Sequence, residues 1–600
     1  MPLGSQSFSL RVPFVTVGGA VAREARYLTG LTRTLLRVRS IAPASPNLIT
    51  DDLERAVDRW PDRQAMSFEG AELSYRQLDA LANRYAGWAK VQEFARGETL
   101  AVVLPNRLDY LPLWFGLSKL GVVAALINYQ LTGEALTHCL ELSGAKLCVT
   151  DASTRAAFDA AAPAGMTAWD LDGDLRAAIA ALDDTRPPRS ERAGMTAKET
   201  ALLIYTSGTT GLPKAARINH MRAQLYMRGF AGSTGARPDD RIYITLPLYH
   251  ATGGLCATGA ALLNGASIAL RRTFSASHFW DDVTAEGATM FVYVGELCRY
   301  LVNRPPAAND GDHKLRLIFG NGLSREVWAQ LETRFAVPRV LEFYGSTEGN
   351  VSMFNFDGGL GAVGRLAPYL APLFNVALVR FDVERETPVR RADGFCQPCA
   401  PGEAGECLGA IHGGARTAYT GYVDHAASEK KVLRDAFRKG DAWFRTGDLM
   451  SRDRLGYYYF VDRVGDTFRW KGENVSTTEV AEALAATPGV QEASVYGVAV
   501  PHHDGRAGMA AIVAGEGFDL AALRATMERA LPPYAQPVFV RLTDALAVTG
   551  TFKPRKMDLI AAGFDPAKCA GPLYFHDRDI GLIPLTLELY ARIVSGEERL

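Results

Sequence analysis

Residues 201–214 read ALLIYTSGTTGLPK, an apolar run that passes straight into a loop of hydroxyls and glycines and ends on a lysine. "ALLI" has the length and side chains of a buried strand. The ten residues after it, Tyr205, Thr206, Ser207, Gly208, Thr209, Thr210, Gly211, Leu212, Pro213 and Lys214, can wrap an anion with backbone N–H and hydroxyl donors. Lys214 supplies the positive charge that a pyrophosphate calls for. Gly208, Gly211 and Lys214 lack the four-residue spacing and the following Ser or Thr of a Walker A loop, so a P-loop ATPase is disfavoured. Read alone, such a loop is a flexible Ser/Gly turn, and its meaning has to come from the rest of the chain.

Outward from this point, helical runs such as "ELSYRQLDALANRYAGWA" alternate with short strands: "TLAVVLPN", "AALINY", "KLCVTD", "RIYITLP", "ASIALRR" and "LRLIFGNG". That alternation predicts an α/β domain whose buried sheets carry helices on their faces. From about Phe343 to Tyr459 the text shortens into hairpins rich in Gly and Pro, predicting a β-rich subdomain. After about Gly465, strands ("ASVYGVAV", "GMAAIVA", "VFVRL") and helices ("TTEVAEALAAT", "DLAALRATMERAL") predict a small mobile α+β domain. The expected division is 1–45 as an N-terminal amphipathic segment, 46–462 as the large domain and 463–600 as the C-terminal one.

With 600 residues, 48% apolar and 22% charged, the chain is globular and long enough for two or three compact units. A net charge of -1, without a basic tail, excludes a protein that lives on nucleic acid. The eight cysteines show no disulfide framework, which fits a reducing, cytoplasmic setting. Cys396, Cys399, Cys407 and His412 have spacings a zinc site could use, but the hairpin-like text around them reads as buried thiols. The apolar stretch Tyr110–Tyr129 holds Pro112, Lys119 and two glycines, and reads as core rather than as the roughly 20-residue apolar span a membrane helix needs.

Five further strings follow the phosphate loop in order: "LPLYH" ending at His250, "FYGSTE" from Phe343 to Glu348, "RTGD" ending at Asp448, "DRVGDTFRWKGENVSTTEV" from Asp462, and "TGTFK" ending at Lys553. Together the six resemble the adenylate-forming superfamily of acyl-CoA synthetases, peptide-synthetase adenylation domains and luciferases. "EFYGSTEGN", "FSASHFWDD", "GELCRYL" and "GDTFRWKGENVSTTEV" resemble its branch of fatty-acid-transport proteins and very-long-chain acyl-CoA synthetases, over nearly the whole chain from about residue 65.

The resemblance implies a long-chain fatty acid–CoA ligase using ATP, Mg²⁺ and coenzyme A, with an acyl-adenylate as intermediate. It implies that loop 205–214 cradles the β- and γ-phosphates, with Thr206, Ser207, Thr209, Thr210 and Lys214 as donors. Tyr344, with Gly345, offers a face to the adenine, and Gly320, Asn321 and Gly322 let backbone approach the base. Thr347 bonds the α-phosphate, Glu348 holds Mg²⁺, Asp448 accepts from the ribose hydroxyls, and Arg463 supports the ribose or the domain junction. His250 borders the acyl carboxylate, and Lys553 reaches it from the small domain. Two departures stand out: Gly550 and Lys553 are separated by Thr551 and Phe552, and the hinge carries Gly465 where many members have Asp or Lys.

Alternatives are a ligase for another bulky acid, such as a bile or steroid acid, and an enzyme loading a carrier protein. The latter would be expected beside a carrier domain, and none follows the 463–600 unit. Coupling to fatty acid uptake is compatible with catalysis, because a thioester traps the acid. Finally, residues 20–38 set Val21, Ala25, Leu28, Leu31, Leu35 and Leu36 on one helical face with Arg23, Arg26, Arg33 and Arg37 opposite. That pattern predicts a helix lying on a membrane surface, or else one docked on the large domain with its basic face in solvent.

Overall fold

The computed structural model describes residues 17–206, 212–503, 505–547, 555–598 and 600. Two parallel-rich sheets form the large part of the molecule. In the first, Thr167–Asp170, Leu147–Thr150, Thr99–Val102, Val123–Leu126 and Thr200–Thr206 lie side by side in parallel, and Lys214–Asn219 closes the edge antiparallel to Thr200–Thr206. In the second, six parallel strands run in the order Val340–Gly345, Leu317–Asn321, Met290–Val294, Arg241–Ile244, Ser267–Leu270 and Gln64–Phe68, with antiparallel strands Ser352–Phe354 and Ala71–Ser74 at its edges. Helices cover both faces, which is why these strands are near-continuous apolar runs. The helix Tyr110–Lys119 is buried along its whole length. Its Lys119 ammonium is tolerated there because Asp79 (2.5 Å), Asn83 (2.6 Å) and Glu54 (3.4 Å) surround it. Among the described residues no helix is long and apolar enough to cross a membrane.

The β-rich part is an antiparallel sheet in the order Gly364–Arg365, Tyr457–Arg463, Ala442–Arg452, Gly405–Ala410 and Val376–Val379, with Val432–Arg434 beside Ala442–Arg452. Cys407 faces a core with Met450 and Tyr458, whereas Cys396 packs with Leu408 and Ala436 on the other side of the sheet. Cys399 packs on the Cys407 side, so the three thiols do not all converge.

Beyond Arg463 the chain turns at Gly465, whose φ of +92° leaves open space where a side chain would begin. A hairpin, Phe468–Trp470 with Glu473–Val475, then leads into a five-stranded sheet of Val490–Val498, Ala507–Ala514, Phe539–Thr543, Leu573–Asp577 and Gly581–Pro584. This sheet has its own hydrophobic core with the helices Thr477–Ala485, Leu520–Ala530 and Leu587–Ser595. The strands Met290–Val294, Leu573–Asp577 and Gly581–Pro584 are additions to the expected set.

The N-terminal helix, Val17–Val38, corrects one expectation. It packs along helix His220–Thr234 through Arg33, Thr34 and Val38, and against Phe356 and Ala367 through Tyr27 and Gly30, while of its apolar stripe Leu31 and Leu35 are half-buried. A Cβ at Gly30 would collide with the Phe356 ring, and Glu24 pairs with Arg365 at 2.8 Å. Arg33 donates to the Gly232 and Ser233 carbonyls and Arg37 to Asn264, so two arginines assigned to the solvent side are fastened to the protein. Val21, Leu28 and Leu36 point outward instead, at 64%, 39% and 54% exposure. Polar fastening outcompetes the apolar stripe here because carbonyls at the end of a neighbouring helix need donors.

Candidate active site

The carboxyl ends of parallel strands are where an α/β sheet leaves a crevice for ligands, and Thr206, Asn321, Tyr344 and Gly345 of the sequence-derived residues lie at such ends. Asn321 and Gly322 end one strand of the second sheet, and Tyr344 and Gly345 end its neighbour. Tyr293, Gly320 and Glu342 are register partners across three adjacent strands. Gly320 has no side chain because a Cβ would strike the Tyr293 carbonyl and ring. The Tyr293 hydroxyl donates to Glu342. The other Glu342 oxygen accepts from the backbone N–H of Gly322 (2.5 Å) and Leu323 (3.1 Å), pinning the turn, with Gly322 at φ +83°. Asn321 Oδ1 is buried and has no hydrogen-bond partner among the described residues. It is an acceptor left for a ligand N–H donor.

The third sheet closes the site. Tyr344 donates to Asp448 at 2.5 Å, and Asp448 pairs in register with Arg463, whose Nε is 3.6 Å from its carboxylate. Burial and the adjacent Asp448 charge push the Tyr344 phenol far above its ordinary range, so it stays a donor.

Thr206 and Lys214 face each other as register partners, so the phosphate loop opens and closes on one hairpin. Ser207, Gly208, Thr209, Thr210 and Gly211 lie outside the described residues, as do Gly550, Thr551, Phe552 and Lys553. Tyr205 turns into the core, its hydroxyl donating to the Cys139 carbonyl at 2.9 Å, so its backbone alone faces the loop. The segment 421–423 pairs with Ala215–Arg217 and sets Tyr422 over Lys214, the ammonium 5.7 Å from the ring centre. Burial, then Glu348 beside it, raises the Tyr422 phenol, while the nearby Thr206 hydroxyl lowers it. Tyr422 therefore links the phosphate hairpin to Glu348. The turn Ser346–Gly349 carries Thr347 and Glu348, and its carbonyls are held by Arg222 and Tyr226. His250 precedes the wide helix Thr252–Ala257, which packs on helix His220–Thr234. Its ring centre is 4.4 Å from that of Tyr249.

The model of the AMP-binding enzyme family matches residues 53–408, and that of the AMP-binding enzyme C-terminal domain matches residues 479–553. The chain belongs to the AMP-binding enzyme family. Among its relatives is a long-chain fatty acid transport protein 3 of Mus musculus, 42% identical over 89% of this chain and 81% of the relative. A long-chain fatty acid transport protein 2 of Rattus norvegicus is 38% identical over 96% of this chain and 95% of its own length. The ATP-bound crystal structure of MatB from Rhodopseudomonas palustris superposes with a TM-score of 0.72 at 25% identity, covering 85% of this chain and 98% of that one. This AMP-binding enzyme is an ATP-dependent acid–thiol ligase, taking ATP, an acid and coenzyme A as small-molecule substrates.

Arg222, Tyr226, Tyr293, Glu342 and Tyr422 are absent from the sequence-derived set, although "EFYG" contains Glu342 and "YTGYVD" contains Tyr422. Burial raises the Glu342 carboxyl to about 8 against the opposing pull of the Tyr293 hydroxyl and two backbone donors. A carboxyl whose folded pKa is raised contributes stability that is full below the unfolded value and is lost as pH rises through about 8. The thermal midpoint of the wild type should therefore fall between about pH 4.5 and about 8, the unfolded and folded values, and Glu342→Gln, which is neutral throughout, should flatten that fall. Equal slopes for the two proteins would contradict a protonated Glu342 in the native state.

Proposed function

We propose that this AMP-binding enzyme is a long-chain fatty acid–CoA ligase, and that the residues gathered at the strand ends bind ATP. The observation that carries the reading is the pairing of this site with relatives named for long-chain fatty acids over nearly the full length of both chains. Asn321 Oδ1 accepts from the adenine amine and Tyr344 lies against the base. Asp448, held by Tyr344 and Arg463, accepts from the ribose hydroxyls. A carboxylate suits that task because it offers several lone pairs. Thr206, Lys214 and the loop between them receive the β- and γ-phosphates, and Thr347 the α-phosphate.

Around Glu348 the neighbours are phenols, Tyr419 and Tyr422, so the donors there are oxygens. Among the described residues no cluster of three or more His, Cys, Asp or Glu could cage a metal. One carboxylate completed by nucleotide oxygens and water fits Mg²⁺. Such an ion neutralises charge on the phosphates when bound. The residues' own work is positioning. An oxygen of the acid attacks the α-phosphorus, the bond to the β-phosphate breaks, and pyrophosphate leaves with the electron pair. The CoA sulfur, having lost its proton, then attacks the acyl carbon, and the C–O bond to AMP breaks. His250 borders the acid, and Lys553 reaches it from the 463–600 unit, which pivots at Gly465 between the two steps.

Acid-dependent AMP release should match acyl-CoA formed, with a long-chain acid preferred over a short-chain or bile acid. Glu348→Gln should lower adenylation about 10²–10³-fold while leaving the fold intact. A bile acid turned over fastest would overturn the substrate assignment, and a near-normal Glu348→Gln would overturn the metal assignment.

The outward residues Val21, Leu28 and Leu36 form an exposed apolar strip that suits peripheral contact with a membrane surface. Because Tyr27 and Thr34 dock the helix, the strip can be altered without removing the helix. Substituting Val21, Leu28 and Leu36 by Ser should weaken binding to phosphatidylserine-containing vesicles with the thermal midpoint unchanged. Unaltered vesicle binding would leave the helix as a docking element only.

A further inference from the structure

Arg222 and Tyr226 sit one turn apart on helix His220–Thr234. Arg222 Nε donates to the Thr347 carbonyl at 2.8 Å, and one terminal nitrogen donates to the carbonyls of Ser346 (3.0 Å) and Gly349 and to the Tyr226 oxygen (3.1 Å). The Tyr226 hydroxyl lies 2.9 Å from the Ser346 carbonyl and 3.2 Å from that of Thr347. Arg222 is buried, and among the described residues no carboxylate stands within ion-pair distance of it. Burying an uncompensated cation is expensive, and a neutral amide could bond a carbonyl at lower cost. What the guanidinium adds is a planar fork of donors that can gather several carbonyls of one turn at once.

Helix and phosphate hairpin are one continuous piece. Strand Lys214–Asn219 runs directly into the helix, and Asn219 caps it by accepting from the Arg222 N–H at 2.8 Å. Lys214 therefore stands at one end of a strand–helix joint and Arg222 at the other. A displacement of the Ser346–Gly349 turn relative to the phosphate hairpin has to break the Arg222 bonds. We propose that Arg222 and Tyr226 are positioning residues that hold the Ser346–Gly349 turn in register with the strand Lys214–Asn219, so that Thr347 and Glu348 meet the α-phosphate and its metal already oriented. The inference rests on the reading of Thr347 and Glu348 given above. It concerns the reaction step rather than the fold, since preorganised donors gain most where charge develops.

The test uses the full-length chain, with acid-dependent pyrophosphate release measured against Mg²⁺, ATP and acid concentration, and the thermal midpoint alongside. Arg222→Met should lower the maximal rate about 10–100-fold and raise the half-saturating Mg²⁺ concentration, with the KM for the acid within about twofold of wild type. Tyr226→Phe should move the same two quantities less, and Arg222→Lys should recover part of the rate. A lowered midpoint with unchanged maximal rate and Mg²⁺ requirement would overturn the proposal. Should Arg222→Met fail to fold, Tyr226→Phe, which keeps the buried ring, decides on the same readouts. Glu348→Gln serves as reference. If it shifts the Mg²⁺ requirement and the Arg222 and Tyr226 variants shift nothing, the positioning role fails alone. If it leaves that requirement unaltered while Arg222→Met lowers the rate, the metal reading fails and the clamp stands.

Discussion

The hydrogen bond from Tyr344 to Asp448, 2.5 Å long, is the joint on which the site depends. Tyr344 ends a strand of a parallel sheet, and Asp448 lies in an antiparallel sheet built from a later part of the chain. That bond ties the strand end proposed to meet the base directly to the carboxylate proposed to meet the ribose, and Asn350, whose amide donates to the Ala410 carbonyl at 2.9 Å, ties the same two layers a few residues on. Burial keeps the phenol protonated, so it remains the donor of this bond. Arg463, register partner of Asp448, then carries the joint to the edge of the C-terminal unit, one residue before the turn that Gly465 makes.

Around this joint, polar groups are either satisfied by the protein or left for a ligand, and the division is informative. Glu342 is wholly occupied by Tyr293, Gly322 and Leu323. It shapes the turn and is spent in doing so. Removing it would strand two backbone donors, at about 1–3 kcal/mol for each buried group left unpaired. Asn321 Oδ1, at the apex of the same turn, is buried and unpaired among the described residues. Thr347 and Glu348 sit on a turn whose Ser346, Thr347 and Gly349 carbonyls are engaged from behind. The chain thus fixes backbone and second-rank side chains in advance and leaves free the groups that a nucleotide would meet, which is what keeps reorganisation low during reaction.

Much of this was legible in the sequence. Apolar runs ending in Gly, Ser or Asn located the strands of both large sheets, because burial on both faces removes the polar alternation of a half-exposed strand. The ordered strings named Thr206, Lys214, Tyr344, Glu348, Asp448 and Arg463, and the strand ending "FGNG" named Asn321; Tyr422 links Lys214 to Glu348, and Tyr344 links its strand end to Asp448. The positions that escaped, Arg222, Tyr226, Tyr293 and Tyr422, work through partners far along the chain, and Arg222 meets carbonyls that carry no side-chain signature at all. The N-terminal helix misled for a related reason. A helical wheel separates apolar from basic residues but does not weigh a glycine that admits Phe356 or a glutamate that pairs with Arg365, and those two residues set the docked face.

The central claim is that an oxygen of the acid becomes bonded to the α-phosphorus of ATP before the thiol arrives. The most direct measurement supplies a long-chain acid labelled with ¹⁸O in its carboxylate, with ATP and coenzyme A, and analyses the products by mass spectrometry. The account predicts one labelled oxygen in AMP for each turnover and none in pyrophosphate or free phosphate. Label in a released phosphate, or AMP free of label, would place the attack elsewhere on the nucleotide and contradict the adenylate route.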